Sequence, residues 1–99
     1  MAYLVFSFER DDSDKEKTWD IVHEVRHIAV PIQLTELFDN QGMRIDFSLR
    51  RGHRYSELGW EVYKILANNP PIRGLLSVAF FEEDGTTTTL YPSRPVGVS

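Results

Sequence analysis

The chain has no cysteine. A disulfide framework, a thiolate nucleophile and a cysteine-built metal site are excluded with it. Long apolar runs are also missing. No stretch approaches the roughly 20 consecutive apolar residues that a membrane helix needs, so no membrane contact of that kind is expected. A secretory pattern is lacking at the N-terminus. Tyr3 to Phe8 is apolar but short, no basic stretch precedes it, and Glu9-Arg10-Asp11-Asp12 follows at once. The expectation is a cytoplasmic protein. Positive charge is in deficit: 11 Lys and Arg stand against 15 Asp and Glu, for a net charge of −4. Bulk attraction to nucleic acid or to an anionic membrane is therefore not expected. Phosphate-binding glycine loops of the Walker and dinucleotide types are absent, and so is Gly-x-Ser-x-Gly. There is no internal repeat and no linker.

What remains suits one globular domain. The 99 residues are 41% apolar and 26% charged, enough for a single core and too few for two. Residues 1–91 read as one compact domain. Residues 92–99 carry two prolines and little apolar content, and read as a flexible C-terminal tail.

Strands and helices alternate in the pattern. Tyr3 to Phe8 is β-branched and aromatic, and predicts a buried strand. Ser13 with Glu16 three residues later is a capping-box pattern, so a helix is expected from Ser13 to Ile28 or Ala29, short of Pro31. Ile32 to Phe38 is apolar-rich and suits a second strand, although Thr35-Glu36-Leu37-Phe38 would also serve as a short helical turn, and Asp39-Asn40-Gln41-Gly42 is a turn by composition. Met43, Ile45, Phe47 and Leu49 alternate with Arg44, Asp46, Ser48 and Arg50, the clearest period of two in the chain. A second helix is expected from Tyr55 to Asn68, with Leu58, Val62, Ile65 and Leu66 as its apolar stripe. Leu75 to Phe81 and Thr86 to Tyr91 then form a hairpin around Asp84-Gly85. The order β-α-β-β-α-β plus one strand predicts an α+β fold of ferredoxin-like split βαβ form. Its antiparallel sheet has 4–5 strands and two helices on one face.

One string spells a chemistry. His23-Glu24-Val25-Arg26-His27 is H-E-x-x-H, which resembles the zinc-peptidase motif over five residues. On a helix it presents two imidazoles to a metal, with the Glu as general base. That resemblance implies a zinc hydrolase. The residues weigh against it. His23 and His27 fall nearly opposite the apolar sector Ile21, Val22, Val25, Ile28 and Ala29, so they face outward. The extended motif fails at Val30 and Gln33. His53, placed at the start of the second helix, is expected to be out of reach of His27. No cofactor and no metal are expected; His23, His27, Asp11 and Asp12 are the nearest to a metal set.

Charge is segregated along the chain. Glu9, Asp11, Asp12, Asp14 and Glu16 follow the first strand, and Arg50, Arg51, His53 and Arg54 follow the third. In the split βαβ form those strands are expected to be central and parallel, with both helices starting at one end of the sheet, so the two loops should be neighbours, either as a surface ion-pair network or as a phosphate or nucleic-acid site. This outline is similar, in topology and charge placement and without a shared motif, to small dimeric ferredoxin-like ribonucleases of the CRISPR-associated and virulence-associated kinds. Those carry an Asp at the end of the first strand, where this chain reads Ser7-Phe8-Glu9.

Aromatic residues lie off the apolar stripes. Trp60 is nearly opposite Leu58 and Val62, while Trp19 and Tyr63 sit on flanks. Trp and Tyr in such positions are typical interface anchors; alternatively, each Trp covers the groove between the two helices or caps a sheet edge. The first reading is thus a non-catalytic protein-binding module, of inhibitor, immunity, antitoxin or regulatory type, with another protein as its partner and a homodimer as a further option. Its partner would contact Trp19, His23, His27, Trp60 and Tyr63, or an edge strand. The second reading is a dimeric nucleic-acid-binding or metal-dependent ribonuclease-like protein, using Asp11, Asp12, Arg50, Arg51, His53 and Arg54. The third is the zinc hydrolase.

Overall fold

A computed structural model describes residues 2–37 and 41–92. The elements run β1 (Ala2–Phe8), α1 (Lys17–Glu24), β2 (Ala29–Leu37), β3 (Gly42–Leu49), α2 (Tyr55–Asn68), β4 (Leu75–Phe81) and β5 (Thr87–Tyr91). The strands form one five-stranded sheet in the order β2-β3-β1-β4-β5, and every neighbouring pair is antiparallel. The coarse expectation is met: an α+β chain with an antiparallel sheet and two helices. The expected position 38 of the second strand, positions 39–40 of the following turn and positions 93–99 of the tail lie outside the described residues.

Alternation places the core. Ala2, Leu4, Phe6 and Phe8 of β1 point to one face of the sheet, with Ile45 and Phe47 of β3 and Val78 and Phe80 of β4. Ile21, Val22 and Val25 from the first helical segment and Leu58 and Val62 from α2 close over that face in one cluster. A fully buried Leu, Ile, Val or Phe contributes about 1.5–3 kcal/mol by leaving water, so this layer holds the fold. Gly59 lets α2 approach closely: a Cβ there would stand 2.9 Å from the Phe80 ring.

Expectation and structure differ most at α1. The helix is eight residues long, starting four residues after Ser13 and ending at Glu24. Backbone pairing takes the early residues. Glu9 N–H donates to Gly74 O at 2.7 Å and Asp14 N–H to Arg73 O at 2.8 Å, so the chain after β1 stays zipped to the entry of β4. The Ser13 hydroxyl donates back to Glu9 O at 2.6 Å instead of capping the helix. Past Glu24 the ladder tightens, with Arg26 N–H bonding His23 O. By Ala29 the chain has joined β2 opposite Leu49. Ile28 and Ala29 are buried as expected, but from a turn and a strand. β2 is an edge strand with a register shift between Pro31 and Gln33, where a ladder can tolerate proline.

The relation of β1 to β3 overturns the expected meeting of the acidic and basic loops. The two strands are central and adjacent but antiparallel, with Ala2 opposite Phe47 and Ser7 opposite Gly42. Their exits lie at opposite ends of the sheet. At about 3.3 Å per residue, the length of β1 separates them by roughly 20 Å. Asp12 instead pairs with Arg73, Oδ1 to Nε at 3.2 Å.

Candidate functional site

Three places on the surface gather chemistry. The first is a groove of about 430 Å³ between α2 and the β4–β5 edge. Gly59, Trp60, Tyr63, Phe80, Thr88 and Leu90 are among its walls. Trp60 is 59% exposed, the most open large apolar residue among those described. Its ring stacks on Tyr63 with centroids 5.4 Å apart and planes 17° apart. That spacing of three along a helix places the two rings on one face, and the Glu61–Lys64 pair beside them, at 2.7 Å, keeps the rim charged. β5 is the sheet's outer strand here, and Thr87, Thr88 and Thr89 are exposed along it. Thr88 lies opposite Phe80, so it belongs to the helix-side face of the sheet, next to the groove.

The second place is the end of the sheet where β3 exits. Arg50 N–H donates to Ile28 O at 2.8 Å, and Arg50 Nε donates to Arg26 O. These bonds tie residues 26–28 to residues 50–54. The turn 50–53 closes through His53 N–H to Arg50 O at 3.2 Å, with Gly52 at φ +86°, a conformation that favours glycine. His27 and His53 then meet edge to face with ring centroids 6.4 Å apart. The expectation that His53 cannot reach His27 is corrected here. It placed both helices' starts at one end of the sheet and carried α1 straight through His27. The chain leaves the helix at Glu24 and turns toward the start of α2. His53 Nδ1 lies 3.1 Å from Glu57 Oε2, while Glu57 Oε1 accepts the Arg54 N–H at 3.0 Å. The imidazole contact first, and the Arg54 amide second, hold the Glu57 carboxyl below the usual carboxylate range.

The third is a wider groove of about 600 Å³ between α1 and the C-terminal end of α2. Asp20, His23, Glu24, Ile65, Leu66 and Ile72 border it. His23 and Glu24 therefore face a groove, yet His27 is drawn off to His53. Among the described residues, no three His, Cys, Asp or Glu side chains stand close enough to hold a metal. The larger volume carries less recognition chemistry than the smaller groove: its rim mixes acidic and basic residues, and it has no aromatic anchor.

The open face of the sheet is occupied by its own side chains. Tyr3 stacks on Phe81 with centroids 4.7 Å apart, and the Arg44 guanidinium covers Tyr3 at 3.7 Å. Asp46 holds Arg44 in place, Oδ1 to Nε at 2.8 Å. A base cannot stack on Tyr3 as it does on the flat aromatic platforms of sheet-type RNA binders.

The residues singled out from sequence thus divide. Trp60 and Tyr63 come together in the first groove, and His23 borders the third. His27, Arg50, Arg51, His53 and Arg54 share the second place, and Arg26 joins them. Asp11 and Asp12 stand at the opposite end. Trp19, 41% exposed on α1, borders neither groove. Sequence reasoning missed Phe80, Thr88 and Leu90 as partners of Trp60. The signal was Gly59, an isolated glycine inside a helix, which marks a close approach of another element. The chain matches no protein-family model, no curated protein and no solved structure.

Proposed function

We propose that this chain is a protein-binding module that receives an extended segment of its partner along β5. The added strand would hydrogen-bond to the outer edge of β5. Its alternate side chains would drop toward the Trp60–Tyr63 groove, since successive side chains in a strand point to opposite faces. The single observation that carries this reading is Trp60, which is 59% exposed and stacked on Tyr63 beside β5, the outer strand of the sheet among the described residues. A large exposed aromatic beside open backbone groups offers both affinity and register. The fold reading belongs to the same proposal: the segment β2-β3-β1-β4 with two helices in one core supports a ferredoxin-like split βαβ arrangement, to which β5 would be an added strand. Residence in the cytoplasm belongs to the same proposal.

The test is a display selection of random peptides on the whole chain, counter-selected on Trp60→Ala. Enriched peptides should carry β-branched or aromatic residues at alternate positions. They should shift the Trp60 emission, and they should perturb amides of Thr87 to Leu90. Peptides that bind the Trp60→Ala protein equally well would sink the groove. Self-association through β5, seen as a concentration-dependent mass that Trp60→Ala abolishes, would replace the foreign partner with a second copy.

A further inference from the structure

We propose that the β3 exit is a second binding site, selective for a compact phosphoryl group. Three segments build it, none of them part of the Trp60 groove. Arg26 and His27 come from the turn after α1, Arg50 and Arg51 from the β-turn, and His53 and Arg54 from the approach to α2. Four of the chain's 11 cationic side chains stand here, against one carboxylate, Glu57. Elsewhere seven cations face 14 carboxylates, so the site carries +3 while the rest of the molecule carries −7. Glu82, Glu83 and Asp84 leave β4 at the same end of the sheet, two strand spacings or roughly 10 Å from β3, so the positive charge is confined to the β3 side of that end.

The cations are left available. Glu57 is engaged by His53 and by the Arg54 amide, and no ion pair engages Arg26, Arg51 or Arg54 among the described residues. All three side chains are exposed. Arg50 has a different part: its Nε holds the Arg26 carbonyl, so it is a positioning residue that fixes the two segments against each other.

Chemistry selects the ligand. Guanidinium groups present planar donor forks that match phosphate oxygens, and neighbouring imidazoles add further donors. Three free guanidinium groups exceed what one carboxylate would neutralise, and suit a di- or trianion. The −7 on the rest of the molecule repels a long polyanion that would have to track across it. The ligand is therefore short: a phosphate monoester or pyrophosphate, either free or at the end of an oligonucleotide.

The experiment is a titration of the full chain followed by two-dimensional amide NMR at low salt. Its probes are inorganic pyrophosphate and a short oligonucleotide with and without a 5′-phosphate. Saturable shifts are expected at 26–28 and 50–55, weakening at least tenfold in the double variant Arg51→Ala/Arg54→Ala and unchanged in Trp60→Ala. Tighter binding of the 5′-phosphorylated strand than of its 5′-hydroxyl form and of pyrophosphate would name a strand end as the source; the best binding by pyrophosphate would name a free phosphate. Both outcomes support the site. Three results would overturn it: no saturable shift with any probe, shifts retained in the folded double variant, or equal shifts with sodium sulfate at matched ionic strength. Unfolding curves of the double variant establish that it is folded, as the exposure of both side chains predicts.

Discussion

Thr18 supplies the sharpest test of the packing. It is the one polar residue in the buried set, 0% exposed, and its Oγ1 has no hydrogen-bond partner among the described residues. Its amide is satisfied by Lys15 O at 3.1 Å, so the deficit lies in the hydroxyl alone. A buried hydroxyl without a partner costs about 1–3 kcal/mol. Thr18→Val keeps the branched shape and replaces the hydroxyl by a methyl. Val and Thr differ little in helix propensity, so the backbone term cancels. The expected change is a gain of about 1–2 kcal/mol, which for a chain of this size raises Tm by roughly 5–15 °C. Thr18→Ser is the complement: it keeps the hydroxyl, deletes the methyl, and should lose about 1 kcal/mol. Thermal and urea unfolding by far-UV circular dichroism reads both. An unchanged or lowered Tm in Thr18→Val would refute the reasoning, because it would mean that the hydroxyl is satisfied and that the α1 core is built differently.

Other expected outcomes follow from single contacts. Gly59→Ala should lower stability by about 1–3 kcal/mol through the forced contact with Phe80, despite the gain of roughly 1 kcal/mol in helix propensity; a rise in Tm would show that α2 stands off the sheet. Trp60→Ala should cost only about 1–2 kcal/mol, against the 3–5 of a fully buried Trp, and urea unfolding that shows a larger loss would return Trp60 to the core. Glu57→Gln should flatten the acid limb of the stability profile. The carboxyl is held below its usual range in the folded chain, so its stabilisation is complete above the unfolded pKa and is lost as pH falls through the folded one. Tm measured from neutral to about pH 3 should fall less steeply in the variant, and parallel profiles would remove Glu57 from the account.

Legibility in the sequence tracked how local each determinant is. α2 was readable to the residue, because its stripe of Leu58 and Val62 and its stop at Asn69-Pro70-Pro71 are all local. β3 and β4 were readable for the same reason. α1 was not. Ser13 and Glu16 spell a capping box, but the backbone at residues 9–14 is taken up by residues 73–74, more than 55 positions away in the chain. A cap worth about 1 kcal/mol yields to two backbone bonds that extend a sheet pairing. Trp60 was legible as an exposed aromatic from its angle on the helix. The far wall of its groove was not, since Thr88 and Leu90 arrive through hairpin pairing.

Strand direction decides the fate of the charged residues. A parallel β1–β3 pair would put Asp11, Asp12, Arg50, Arg51 and Arg54 at one end, where they would neutralise one another or hold a metal and a phosphate. The antiparallel pair sends the acidic loop to Arg73 and leaves the arginines without it. The early end of α1 completes the change. Had the helix run on to Ile28, His27 would have stayed above His23, and the H-E-x-x-H spacing would have kept its meaning. Because the chain turns at Val25, His27 goes to His53 instead. The zinc motif is divided between two sites, and the basic end gains a second imidazole. What reads in sequence as two chemistries is resolved in space into one cluster of arginines and imidazoles at the β3 exit and one separate aromatic groove. A ligand at either can therefore be tested without disturbing the other.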